Sequence, residues 1–85
     1  MSQSVKAVID FHDRVNAIRN TLNSLDAKSV DKAAQDIAII FLELADMQTS
    51  GLIDLDALTE AEQLIFFRAV ARLSALMGAV LLLKK

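Results

Sequence analysis

Residues 59–85 read TEAEQLIFFRAVARLSALMGAVLLLKK, the longest nearly uninterrupted apolar segment of the chain. Its apolar residues recur with helical spacing over its whole length, and it contains no proline, so it predicts a single long helix. Thr59 followed by Glu62 matches the capping box, in which the hydroxyl and the carboxylate each accept a hydrogen bond from a free backbone N–H of the first turn. The sequence therefore predicts a helix over about 60–84.

Apolar side chains cover most of the circumference of this helix at 100° per residue. A bulky strip follows a 4-3-4-3 spacing: Phe66, Val70, Leu73, Met77 and Val80. A groove of small residues lies beside it, edged by two large ones: Ala71, Ser74 and Gly78, with Phe67 and Leu82. The strip best suited to water consists of Ala61, Arg68, Arg72, Ala75 and Ala79. A helix apolar over so much of its surface must be covered on several sides, and two partner helices leave part of it bare.

Two further helices are predicted upstream. The first, over about 5–25, has a seam with 3-4-3-4-3 spacing: Val8, Phe11, Val15, Ile18, Leu22 and Leu25. The second, over about 30–49, has a 4-3-4-3 seam: Ala33, Ile37, Ile40, Leu44 and Met47. Ser29 is the predicted cap of the second helix and Asp26 is its rival, because both residue types accept hydrogen bonds from free N–H groups of a first turn.

Gly51 is predicted to end the second helix in the left-handed conformation, with Leu52 falling back on Met47 in a Schellman motif. Residues 54–58 then form a loop or one helical turn capped by Asp54.

Three helices joined by connections of roughly four and ten residues most simply form an antiparallel up-down-up bundle. The sequence thus predicts a small all-α domain over residues 1–85. In an alternative arrangement the first two helices form a hairpin while the third packs mainly against a second copy. Gly78 indicates a close approach between helices, since a glycine inside a helix is otherwise unfavourable by about 1 kcal/mol relative to alanine.

The composition predicts an oligomer or a dedicated partner. The chain has 85 residues, of which 54% are hydrophobic. A chain of this size buries only a little over ~60% of its unfolded surface, so several large apolar side chains should stay outside. Exposed apolar patches of more than a few hundred Å² usually mark contacts with a protein or a membrane.

Charge argues against nucleic acid as the partner and is split along the chain. The formal net charge is −2, whereas a nucleic-acid binder needs a basic footprint. A helix-turn-helix reader would also turn the acidic first turn of the last helix towards the phosphates. Residues 43–62 hold six acids and no base, and four bases but no acid follow them. The plainer interpretation is complementation of the helix dipole; the alternative is assembly in which the acidic end of one subunit meets the basic end of another.

No residue pattern predicts catalysis, a cofactor or a metal site. The chain has no cysteine, which excludes disulfides and thiolate ligands. His12, the only histidine, lies at the edge of the first seam. Asp13 is about 100° away round the helix, so His12 lacks an orienting partner for general-base work. The carboxylates near the third helix lack the third ligand and the glycine of a calcium loop: Asp54, Asp56, Glu60 and Glu62.

Arg68 and Arg72 lie four residues apart on one face of the third helix. Their guanidinium groups could grip a carboxylate or a phosphate. We favour instead a solvated stripe, or pairs between subunits with acids such as Glu43 and Asp46. The predicted partner or oligomer interface consists of Phe67, Arg68, Ala71, Arg72, Ser74, Gly78 and Leu82.

A membrane span is not expected. The uncharged residues 73–83 number 11, against the roughly 20 needed to cross a bilayer. A longer span would include Arg68 and Arg72, at about 2.5–3.5 kcal/mol each near the bilayer centre. Peripheral membrane binding, with Lys84 and Lys85 as headgroup anchors, is the alternative.

The first ten residues lack the apolar core of a signal peptide. We therefore expect cytoplasmic residence, with export by a signal-independent apparatus left open. The function predicted is that of a non-enzymatic, all-helical interaction module that binds itself or another helical protein. It would act as an assembly subunit, a small chaperone, or an inhibitor or adaptor.

Overall fold

The computed structural model describes residues 3–51 and 53–84, without the side chain of Gln48. Three α-helices occupy most of this range: α1 (Gln3–Leu22), α2 (Ala27–Ser50) and α3 (Glu60–Leu83). A short 3₁₀ turn (Leu55–Ala57) precedes α3, and the described residues contain no strand. The predicted all-α class is confirmed, as is the extra helical turn within 54–58.

The helices form an up-down-up bundle. The hydroxyl of Ser4 accepts a hydrogen bond from the N–H of Asp54 at 3.0 Å, which ties the start of α1 to the segment before α3. At the opposite end Lys84 pairs with Asp31 at 3.2 Å, which ties the end of α3 to the start of α2. The helices α1 and α3 therefore run in one direction and α2 in the other, and the molecule measures 40 × 23 × 18 Å.

The connection between α1 and α2 differs from the prediction. Helix α1 ends at Leu22, and Leu25 is 65% exposed with a positive φ of 57°. The placement of Leu25 on the buried seam is therefore wrong, because the chain turns before reaching it. Asp26, the rival cap, caps α2: its Oδ1 accepts a hydrogen bond from the N–H of Ser29 at 2.8 Å. Ser29 lies inside the first turn instead.

The remaining helix ends agree with the sequence signals. Gly51 has a φ of 73°, the left-handed conformation that glycine adopts without steric penalty. Leu52, and with it the predicted Schellman contact, lies outside the described residues. The capping box is complete: the N–H of Thr59 donates to Oε1 of Glu62 at 2.8 Å, and the N–H of Glu62 donates to the Thr59 hydroxyl at 3.2 Å.

The core consists of the predicted seams of α1 and α2 and a displaced seam of α3. Buried residues of the first two helices include Val8, Phe11, Val15, Ile18, Leu22, Val30, Ala33, Ile37, Ile40 and Leu44. From α3 the core takes Phe66, Ala69, Leu73 and Val80. Met77, predicted on the bulky strip, is 40% exposed. It lies at the rim of a groove between α2 and α3, because the bundle buries the side of α3 nearer to Ala69.

This burial predicts how two leucine truncations differ. Leu73 is fully buried and Leu42 is 69% exposed on α2. Leu73→Ala should lower the free energy of unfolding by about 2–5 kcal/mol, through lost transfer energy and the cavity left behind. Leu42→Ala should change it by less than about 0.5 kcal/mol. Urea titration followed by circular dichroism measures both, and similar losses for the two variants would contradict this packing of α3.

Candidate interaction surface

One side of α3 is apolar and faces away from the core. Its large exposed side chains are Leu64 (48%), Phe67 (51%), Leu81 (61%) and Leu82 (69%). Between them lie Ala71 and Ser74, which are exposed, and Gly78, which is half-exposed. We call these seven residues the outer face of α3, and Arg68, also exposed, lies at its edge.

The outer face repeats with the spacing of a helix-packing seam. Six of its residues follow one another at 3-4-3-4-3: Leu64, Phe67, Ala71, Ser74, Gly78 and Leu81. This spacing keeps side chains on one stripe that can pack against another helix. The core seam occupies nearly the opposite side of the same helix. Helix α3 thus has two stripes with this spacing, of which the described bundle covers one.

Phe67, the aromatic residue of the outer face, packs against an aromatic ring of the core. The ring centroids of Phe11 and Phe66 are 5.6 Å apart in the core. The Phe66 ring contacts that of Phe67, with a centroid distance of 5.8 Å. Tilted pairs at these distances are favourable. A row of three rings therefore connects the core to the surface, and Phe67 is held against it while half of its side chain stays exposed.

Gly78 has no packing role inside the chain. A Cβ atom built on this residue would meet no atom within 4 Å apart from its own helix backbone and chain neighbours. The close helix approach that the sequence indicated at Gly78 is therefore not made within one chain. A glycine in a helix interior remains unfavourable by about 1 kcal/mol relative to alanine, so the bundle gains nothing from it.

The arginines of the predicted interface differ from each other. Arg72 is half-buried, and its guanidinium donates to Oδ1 of Asn16 at 2.7 Å, which joins α3 to α1. Glu43, a predicted partner between subunits, forms an ion pair with Arg14 of its own chain. Arg72 thus makes its hydrogen bond inside the bundle, whereas Arg68 is exposed beside the outer face.

Two of the polar groups considered for chemistry, His12 and Asp13, approach each other. His12 is half-buried; its Nδ1 lies 3.4 Å from Oδ1 of Asp13, and the Asn16 amide lies 3.4 Å from its Nε2. The expectation that Asp13 is out of reach is therefore wrong, because side-chain rotation brings the carboxylate to a long contact. Among the described residues no three His, Asp or Glu side chains are placed to share a metal ion.

A shallow apolar groove adjoins the outer face. It lies between α2 and α3 and has a volume of about 270 Å³; its lining includes Ala34, Ile37, Ala38, Phe41, Met77 and Leu81. Leu81 belongs to both surfaces. Sequence reasoning missed Leu64 and Leu81 as surface residues, although extending the 3-4 spacing outward from Phe67 and Gly78 reaches both.

Helix α3 also has the length and composition of a membrane-crossing helix. An 18-residue window within it has a mean hydropathy of 1.8, and only 22% of that window is buried. The core helix of a soluble protein meets the same criterion of length and composition, but it would be mostly buried. The low burial shows that the exposed apolar surface is concentrated on this helix.

Comparisons of the chain with protein-family models, with curated protein sequences and with solved structures find no match.

Because nothing in the chain occupies the space at Gly78, Gly78→Ala should raise the free energy of unfolding of the isolated chain. The expected gain is about 1 kcal/mol from helix propensity alone. Ala79→Gly, at the neighbouring exposed position, should lower it by a similar amount and serves as the matched control. Urea titrations at low protein concentration measure both, and a destabilised Gly78→Ala variant would show that the chain itself needs the glycine.

Proposed function

We propose that this protein is a non-enzymatic interaction module that binds a helical protein surface through the outer face of α3. One observation supports this most directly: the core is complete without the outer face, yet four large apolar side chains of that face remain about half exposed or more. Surface of this kind, gathered on one helix, usually marks a contact with another macromolecule.

Hydrophobic burial is large enough to drive such binding. Fully burying a large aliphatic or aromatic side chain contributes about 1.5–3 kcal/mol. Covering the exposed parts of Leu64, Phe67, Leu81 and Leu82 would therefore contribute roughly 3–7 kcal/mol from this chain, with the partner's own surface added. An exposed ion pair such as one made by Arg68 contributes about 0–1 kcal/mol. Burial thus sets the affinity, and charge sets the orientation.

The total surface agrees with a chain that functions in contact with another. Its accessible area is 5556 Å², whereas a folded monomer of this length is expected to expose about 5,000 Å². The bundle is elongated, at 40 × 23 × 18 Å, and its long side includes the outer face. An assembly subunit, a small chaperone and an inhibitor or adaptor would each use such a side.

A membrane surface is the second candidate, favoured by the hydropathy and low burial of α3. Leu81, Leu82 and Leu83 are exposed next to Lys84, an arrangement suited to the boundary between acyl chains and headgroups. Arg68 on the edge of the outer face limits the depth of insertion, since a charged side chain is unfavourable inside the bilayer.

The test compares two matched double variants by affinity capture. Phe67→Ser/Leu82→Ser removes two side chains of the outer face that are 51% and 69% exposed. Ile39→Ser/Leu42→Ser removes two of α2 that are 48% and 69% exposed. A tagged wild-type chain should retain a protein from extracts of its native cells, or untagged copies of itself, and the α2 variant should retain the same protein. The outer-face variant should lose it at least about tenfold, because two anchor side chains are gone.

Circular dichroism checks that both variants keep the bundle. Equal retention by both variants would contradict binding through α3. If the wild-type chain instead sediments with anionic lipid vesicles and captures no protein, and only Phe67→Ser/Leu82→Ser stays in solution, the membrane candidate replaces this proposal.

A further inference from the structure

We propose that the surface bound by the outer face of α3 is the same face of a second copy, with the two α3 helices antiparallel about a two-fold axis near residues 72 and 73. This inference rests on the proposed function and specifies its partner. It follows from the distribution of charge over the bundle and from the order of large and small side chains along the face.

The bundle is bipolar, with an acidic end and a basic end. The up-down-up topology places the start of α1, the end of α2 and the start of α3 together. This end carries Lys6 and seven acids, one of which, Glu43, is paired with Arg14; the acids are Asp10, Glu43, Asp46, Asp54, Asp56, Glu60 and Glu62. At the other end the described residues include four bases and three acids: Arg19, Lys28, Lys32 and Lys84 with Asp26, Asp31 and Asp36.

An antiparallel pair of α3 helices sets the acidic end of each copy beside the basic end of the other. Opposite potentials across a contact fix its orientation and penalise the wrong one. The helix dipoles add to this preference, because each N-terminus then lies near the other copy's C-terminus. A parallel pair would instead crowd two acidic ends together. Charge complementarity therefore selects a second copy in one orientation.

The side chains of the outer face complement one another in the same orientation. In an antiparallel pair centred between residues 72 and 73, Leu64 lies opposite Leu81 of the second copy and Ala71 opposite Ser74. Phe67 lies opposite Gly78, where no side chain occupies the space. A parallel pair would place Phe67 against Phe67 and Gly78 against Gly78, with crowding at one level and a void at another.

The spacing also continues into charged residues at both ends. One step outward from Leu64 is Glu60, which is exposed in the first turn of α3. One step outward from Leu81 in the sequence is Lys85, which lies outside the described residues. In the sequence, the antiparallel register matches positions 60 and 85, which carry opposite charges.

The first test measures the dimer and its dependence on Gly78. Sedimentation equilibrium of the wild-type chain should show a reversible monomer–dimer equilibrium. Gly78→Leu fills the space assigned to Phe67 of the second copy and should raise the dissociation constant by about tenfold or more. Ala79→Leu adds the same side chain at the neighbouring exposed position and should change it by less than about twofold. Equal effects of the two variants would overturn the assigned register.

The second test determines the relative orientation of the two α3 helices by crosslinking. The chain contains no cysteine, so a single introduced cysteine is the only thiol in each variant. Leu64→Cys and Leu81→Cys chains, carrying tags of different size, are refolded together and treated with a short bismaleimide. The antiparallel dimer should give a crosslink between the two variants and none within either alone, since identical positions are then about 26 Å apart along the axis. Crosslinking of each variant with itself would establish a parallel pair and overturn the inference.

The two proposals fail in different ways. A wild-type chain that remains monomeric at all concentrations, yet captures another protein through Phe67 and Leu82, overturns the second copy as partner and leaves the interaction function intact. If the Phe67→Ser/Leu82→Ser variant still forms the dimer and still captures the other protein, both proposals are overturned.

Discussion

The structure depends on the fact that α3 is apolar around most of its circumference while only two other helices are available to cover it. A helix that packs against two neighbours buries one side. In α3 this buried side consists of Phe66, Ala69, Leu73 and Val80. The side that remains is nearly as apolar as the buried one. Its exposure cannot be reduced by turning the helix, because any rotation that hides Phe67 exposes part of the core seam instead. The apolar excess is therefore a property of the sequence, whichever side of α3 faces the core.

Polar contacts support the packing of α3 along its length. The bond from Arg72 to Asn16 joins α3 to α1 near its middle, and the pair of Lys84 with Asp31 holds its end against α2. The capping box of Thr59 and Glu62 fixes its start. Each of these contacts is modest alone, but together they act at the start, middle and end of one helix.

Most of the architecture could be predicted from the sequence because it depends on interactions between residues that are close together in the chain. The seams of α1 and α2, the capping box and the left-handed Gly51 depend on neighbouring residues, and all are found in the structure. The details that differ depend on long-range contacts. Leu25 continues the periodicity of α1, but the chain turns before it. Met77 shares a strip with Leu73, yet the approach of α2 leaves a groove beside it. A helical wheel does not give the rotation of the helix to within a few tens of degrees, and that rotation determines whether such a residue is buried or exposed.

Tertiary contact gives Arg72, one residue of the predicted interface, a role inside the bundle that the helical wheel does not show. The order of sizes along the outer face favours the protein partner proposed above over a lipid one. A bilayer accepts any sufficiently apolar side chain and has no fixed positions that side chains must match. Binding to lipid therefore gives no reason why position 67 has a large side chain while position 78 has no side chain. A packed helix does, because each projecting side chain needs a space at a matching height. A glycine that weakens its own helix and relieves no contact within it is better explained by a partner that comes close at that level than by a lipid surface.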